Sequence, residues 1–161
     1  MPSRLSRAER DRFLDGRHVA VLVTIDEAGA PVPTPIWYRY RDGRFLFRTA
    51  ASAAKVANVR RDARVSVCVQ DERPPYKAVI AHGTATIEEG AGELATEIPR
   101  HYLGAIGAIG YQRTARSAVE SGPEVTIVVT PERWTTFDFT VETPLPGRLW
   151  LLAKRVLPPW L

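Results

Sequence analysis

The stretch RFLFRTAASAAKVANVRRDARVSVCVQ, residues 44–70, decides the fold. Asp42-Gly43 before it is a strong two-residue hairpin turn, so Arg44 to Thr49 reads as a returning strand. From Ser52 to Arg61 the pattern switches to helical spacing, with Ser52 as the expected N-cap and Val56 and Val59 facing inward. Arg64 to Gln70 then alternates apolar and polar residues, which is a strand again. A single short helix therefore sits inside a run of strands.

Working outward, residues 18–25 form a β-branched run and read as a strand, and Asp26 to Pro31 supplies turn chemistry. Residues 32–40 read as the next strand, and Pro33 and Pro35 mark it as an edge, a bulge or an opening. Pro74-Pro75 marks a turn. Residues 77–88 form a long strand with Gly83 as its bulge. Residues 92–120 carry no strand pattern and read as helix, broken around Gly104, Gly107 and Gly110. Two last strands are expected at 124–129 and 134–141. At the front, Ser6 and Glu9 have capping-box spacing, and Leu5, Phe13 and Leu14 supply the buried stripe of an amphipathic helix. About seven strands joined mostly by tight turns describe a small antiparallel barrel with accessory helices. Strands and helices do not alternate and no Gly-x-Gly-x-x-Gly is present, so a Rossmann fold is excluded.

The chain has 161 residues, 45% hydrophobic and 25% charged, which suits one compact domain. We place that domain at 1–142 and a basic, aromatic tail at 143–161, after the Pro-rich joint at 143–148. One cysteine and three histidines exclude a disulfide framework and make a metal cage improbable, so no metal site is expected. No segment reads as a signal peptide and no apolar run reaches the roughly 20 residues needed to span a bilayer, so a cytoplasmic protein is expected.

The net charge of +4 is unevenly spread. Residues 39–64 hold eight basic side chains against two acidic ones, whereas residues 65–147 hold six against eleven. A local excess of this kind points to a discrete anion site more than to a nucleic-acid footprint. Aromatic residues are not interleaved with the basic run as a stacking platform would need, so nucleic acid is not an expected partner. Within the run, Arg48-Thr49 ends a strand, and the small residues that follow lead to a helix start carrying Lys55. Helix-start N–H groups and a lysine together suit a phosphate. The tail carries Arg148, Lys154 and Arg155 with Trp and Leu. Packing on the barrel or on a dimer mate is the favoured reading, with a membrane-surface contact or a lid over the active site as the other two.

These blocks resemble the flavin- and deazaflavin-dependent split-barrel oxidoreductases related to pyridoxamine 5'-phosphate oxidase. The resemblance runs from about residue 11 to 141, through Phe13-Leu-Asp-Gly, Val19-Ala-Val-Leu-Val-Thr, Pro35-Ile-Trp-Tyr, the block from Ser52 to Val67, Pro74-Pro-Tyr and Gly83-Thr-Ala. It is nearest to the branch that uses coenzyme F420. It implies a Greek-key split β-barrel with accessory helices. It implies that Lys55 contacts the cofactor phosphate, that Arg48, Thr49 and Ala50 border the phosphate and ribityl chain, and that Pro35, Ile36 and Trp37 pack beside the ring. Tyr76 falls where the family often places an aromatic near the ring. The family usually carries a second phosphate-binding arginine one or two residues before the lysine. Here those positions are Ala53 and Ala54, which leaves Arg48 or Arg60 to compensate.

The activity implied is hydride transfer between reduced F420 and an unsaturated small-molecule acceptor such as an enone, a quinone or a tetrapyrrole. FMN as cofactor, with oxidase or reductase activity, is the alternative, and a non-catalytic cofactor- or heme-binding barrel is the third reading. Tyr76, His82 and Tyr38 are the candidate proton donors. The resemblance also implies a homodimer with the cofactor at its interface.

Overall fold

The computed structural model describes residues 4–118 and 122–140. The elements run α1 (Arg7–Leu14), β1 (Ala20–Ile25), β2 (Pro31–Ile36), β3 (Arg39–Arg41), β4 (Arg44–Ala50), α2 (Ala54–Arg61), β5 (Arg64–Asp71), β6 (Lys77–Glu89), α3 (Leu94–Ala118) and β7 (Glu124–Asp138). Ser6 caps α1 through the expected capping box with Glu9. Leu14 is buried, with Leu5 and Phe13 packed against the core.

The strands form one antiparallel sheet in the order β2-β1-β5-β6-β7-β4-β3. The outermost strands β2 and β3 are consecutive in the chain, separated only by Trp37 and Tyr38. Three Cα–Cα steps of about 3.8 Å hold their ends within roughly 11 Å, so the sheet must curl on itself. The barrel is joined along this seam by the covalent chain and not by a ladder, which makes it a split barrel. The prolines 31, 33 and 35 lie in β2, an edge strand, where a missing donor costs least.

The inward residues of the strands meet in one core. Tyr38, Tyr40, Phe45 and Phe47 are its aromatic part, with Leu22, Val67, Val69, Val79, Val125 and Ile127 around them. The helix α2 contributes Val56, Asn58 and Val59. Asn58 is satisfied by donating its amide to Thr24 Oγ1 at 3.0 Å.

The structure corrects three expectations. Ser52 does not cap α2: the N-cap is Ala53, and no side chain caps the helix. The strand expected at 32–40 is two strands, because the chain crosses the seam at Trp37-Tyr38. The strands expected at 124–129 and 134–141 are one, β7, which continues through Pro131. Opposite β6 the register shifts between His82 and Gly83, pairing His82 with Arg133 and Gly83 with Pro131. Glu132 is the extra residue of that bulge, and a bulge tolerates proline. Of the expected helix breaks, Gly104 is the one that leaves helical geometry, at φ 71°. The tail at 143–161 and the boundary before it lie outside the described residues.

Candidate functional site

The basic run of residues 39–64 is largely paired in the fold. Arg39 and Arg41 meet Glu97, Arg39 also reaches Asp15, Arg48 meets Glu124, Arg60 meets Glu89, and Arg64 meets Asp62. Arg61 donates to the Ile25 carbonyl at 2.6 Å. Among the described residues, Arg44 and Lys55 are left without a carboxylate or hydrogen-bond acceptor. Arg44 is exposed beside the Asp42-Gly43 turn, whereas Lys55 is partly buried. Burial alone pushes the Lys55 ammonium below the ordinary lysine value.

Lys55 stands in the first turn of α2, immediately after β4. The connection is tight: the Ala53 N–H donates to the Ala50 carbonyl at 3.0 Å. The helix start has no side-chain cap and no acidic residue in its first turn. An uncapped helix N-terminus leaves N–H donors for an external anion. Thr49 and Ala50, partly exposed at the end of β4, border this corner.

A small cavity of about 150 Å³ lies at the seam, lined by Ile36, Trp37, Arg48, Ile98, Pro99 and Tyr111. It brings the end of β2 to the outer face of β4 under α3. Trp37 stacks on Tyr102 with ring centres 4.8 Å apart and planes 5° apart, and Tyr111 lies 5.5 Å away. The Tyr102 hydroxyl donates to the His18 carbonyl at 2.6 Å and accepts the Tyr38 N–H at 3.2 Å. Beside it, Arg39 donates to Glu97 at 2.9 Å and contacts His101 Nδ1 at 2.8 Å. Burial alone would raise the Glu97 carboxyl, but the Arg41 and Arg39 guanidiniums outweigh it and hold it below the ordinary value.

The structure thus brings Ile36, Trp37 and Arg48 together and carries Thr49 and Ala50 on to Lys55. Pro35 is exposed on β2. Arg60 is exposed and held by Glu89. Tyr76 is 54% exposed before β6, outside this cavity. Tyr38 is buried, and its hydroxyl donates to the Leu14 carbonyl at 2.8 Å, with burial pushing its pKa up. His82 lies elsewhere, in an open cleft of about 760 Å³ shared with Val23, Ser66 and Arg133, and its Nδ1 is 2.8 Å from Ser66 Oγ. Sequence reading missed Tyr102, Tyr111, Glu97 and Glu124. The first three lie on the helix whose docking has no local pattern, and Glu124 gains its meaning only by facing Arg48.

Three comparisons bear on identity. The profile of the pyridoxamine 5'-phosphate oxidase family matches residues 6–138. Among curated proteins, none matches. Among solved structures, a conserved hypothetical protein of Mycobacterium tuberculosis is 25% identical with a TM-score of 0.72, over 88% of this chain and 90% of that one. A protein described as an F420 reductase is 18% identical with a TM-score of 0.61, over 78% and 94%. A FAD-binding protein of Mesorhizobium loti is 22% identical with a TM-score of 0.56, over 82% and 94%. With the family profile covering every strand of a split barrel, the chain belongs to the pyridoxamine 5'-phosphate oxidase family.

Proposed function

We propose that this chain binds coenzyme F420 and is an oxidoreductase that reduces an unsaturated small molecule. The observation that carries the reading is Lys55: a partly buried ammonium, without a carboxylate among the described residues, in the first turn of an uncapped helix. A cofactor phosphate suits those donors. Ile36, Trp37 and Arg48 supply an apolar, aromatic wall with one guanidinium for the ring end.

When bound and reduced, the deazaflavin supplies a hydride to the acceptor, and a proton completes the reduction. The protein's share is positioning and exclusion of water. Lys55 and the α2 N–H groups anchor one end, and the Trp37–Tyr102 stack fixes the other wall. We further propose a homodimer in which a partner subunit completes the site. Val21, Val23, Cys68 and Ile80 leave the outer face of β1, β5 and β6 only partly covered, as a subunit contact would require.

Titration with F420, followed by its fluorescence, should give saturable binding with one cofactor per chain and micromolar or tighter affinity. No binding at micromolar concentration overturns the reading. A yellow preparation that releases FMN on denaturation transfers it to the flavin, a cofactor chemistry shared by the FAD-binding relative. Tight binding without turnover across enones, quinones and tetrapyrroles makes the protein a carrier.

A further inference from the structure

The seam cavity is smaller than the group it is asked to hold. Its volume is about 150 Å³. Pockets that take a ring-sized ligand usually run from about 300 Å³ upward. A three-ring cofactor does not enter a space of half that size, so one wall of the cavity must move.

The lining residues identify that wall. Ile36, Trp37 and Arg48 belong to the barrel, and Arg48 is held by Glu124. Ile98 and Pro99 come from the first part of α3, which is fastened at several points. Leu94, Ile98 and Pro99 are buried there. Glu97 pairs with Arg39 and Arg41. The Tyr102 hydroxyl joins the His18 carbonyl to the Tyr38 N–H. Tyr111 is the sixth lining residue and comes from the far side of Gly104. From Ala105 to Tyr111 the one buried residue is Ala108, and Tyr111 itself is 39% exposed. Tyr111 meets the cavity through its ring contact with Trp37 at 5.5 Å.

Gly104 separates the two parts of the helix, at φ 71° and ψ 178°. Those dihedrals are open essentially to glycine alone. A Cβ at Gly104 would meet nothing within 4 Å. Packing therefore does not call for glycine at this position, whereas the backbone conformation does. A well-anchored helical piece and a lightly buried one, joined at a single non-helical glycine, have the construction of a hinge.

We infer that residues 105–111 are a lid on the seam cavity, hinged at Gly104, and that Tyr111 withdraws to admit a planar ring and returns against it. The identity of the ring rests on the cofactor reading above. The motion rests on the hinge and the cavity and does not depend on that reading.

The test is amide hydrogen exchange of the full chain without ligand, read by mass spectrometry over residues 94–103 and 105–111. The lid should exchange at least about tenfold faster than the anchored part. In Gly104→Ala the side chain penalises only the closed arrangement. That variant should therefore raise exchange over 105–111 by about fivefold or more and leave 94–103 within about twofold of wild type. Equal protection of the two segments in the wild type overturns the inference. So does a Gly104→Ala variant whose lid is unchanged, or one in which both segments exchange faster together. A second measurement follows F420 association by stopped-flow fluorescence. Tyr111→Ala should bind F420 at least about fivefold faster, because the blocking ring is gone. An unchanged association rate overturns the role given to Tyr111. Failure of F420 to bind the wild type overturns the cofactor reading instead, and the exchange result then decides the lid by itself.

Discussion

Arg48 on β4 holds Glu124 on β7 through two contacts, Nε to Oε2 at 2.9 Å and Nη2 to Oε1. The ladder pairs Arg48 with Thr126 and Ala50 with Glu124, so the two side chains reach across a diagonal. This bidentate pair lies at the wall of the seam cavity, and it leaves Arg48 with its charge already matched.

It follows that Arg48→Ala and Lys55→Ala should separate. Arg48→Ala should cost about 1 kcal/mol of stability in urea unfolding, since the pair is partly exposed. It should change F420 affinity by no more than about threefold. A large affinity loss with unchanged stability would show that Arg48 leaves Glu124 to meet the phosphate.

Lys55→Ala should weaken cofactor binding by about tenfold, or ~1.4 kcal/mol, with the fold intact by circular dichroism. Burial holds the Lys55 ammonium below the ordinary value of 10.5. The charged form binds phosphate, so wild-type affinity should fall as pH rises toward 10.5, sooner than an exposed lysine would allow. The alanine variant should show no such slope in the same titration.

Gly83 is required at the β6–β7 bulge. A Cβ there would lie 2.1 Å from the Thr130 carbonyl oxygen and 2.9 Å from Pro131 Cα, both rigid backbone. Gly83→Ala should destabilise the protein by about 3 kcal/mol or more, lowering Tm by about 10 °C in a thermal melt. A melt within a degree or so of wild type would contradict the bulge geometry.

Tyr40 donates its hydroxyl to Asp11 Oδ1 at 2.9 Å, and burial, then Asp11, push its pKa up to about 12. A phenol raised in the folded state contributes stability that is complete below its unfolded value of 10 and is lost as pH rises through about 12. Tyr40→Phe should cost about 1 kcal/mol at neutral pH from the lost hydrogen bond. It should also flatten the stability profile between pH 10 and 12, measured by urea unfolding at each pH. Tyr38, shifted the same way, keeps part of the alkaline loss. An unchanged slope would show that Tyr40 does not titrate with unfolding.

Local chemistry by itself determined much of this protein. Period-two alternation marked strands such as β5, where residues on one face are buried and those on the other are not. The left-handed turn at Asp42-Gly43, with φ 51° and 76°, and the Ser6–Glu9 capping box are also local, and both were legible. So was Lys55 at a helix start, since strand, turn and helix are contiguous there. Tertiary structure alone decided the rest. Whether residues 124–138 make one strand or two depends on Gly83, far away on β6, accepting the bulge. Which arginines remain available for a ligand depends on Glu97, Glu124 and Glu89 arriving from elements distant in sequence. The local excess of positive charge is real along the chain, but Coulomb pairing acts through space, and folding neutralises most of it and leaves Lys55 as its partly buried remainder.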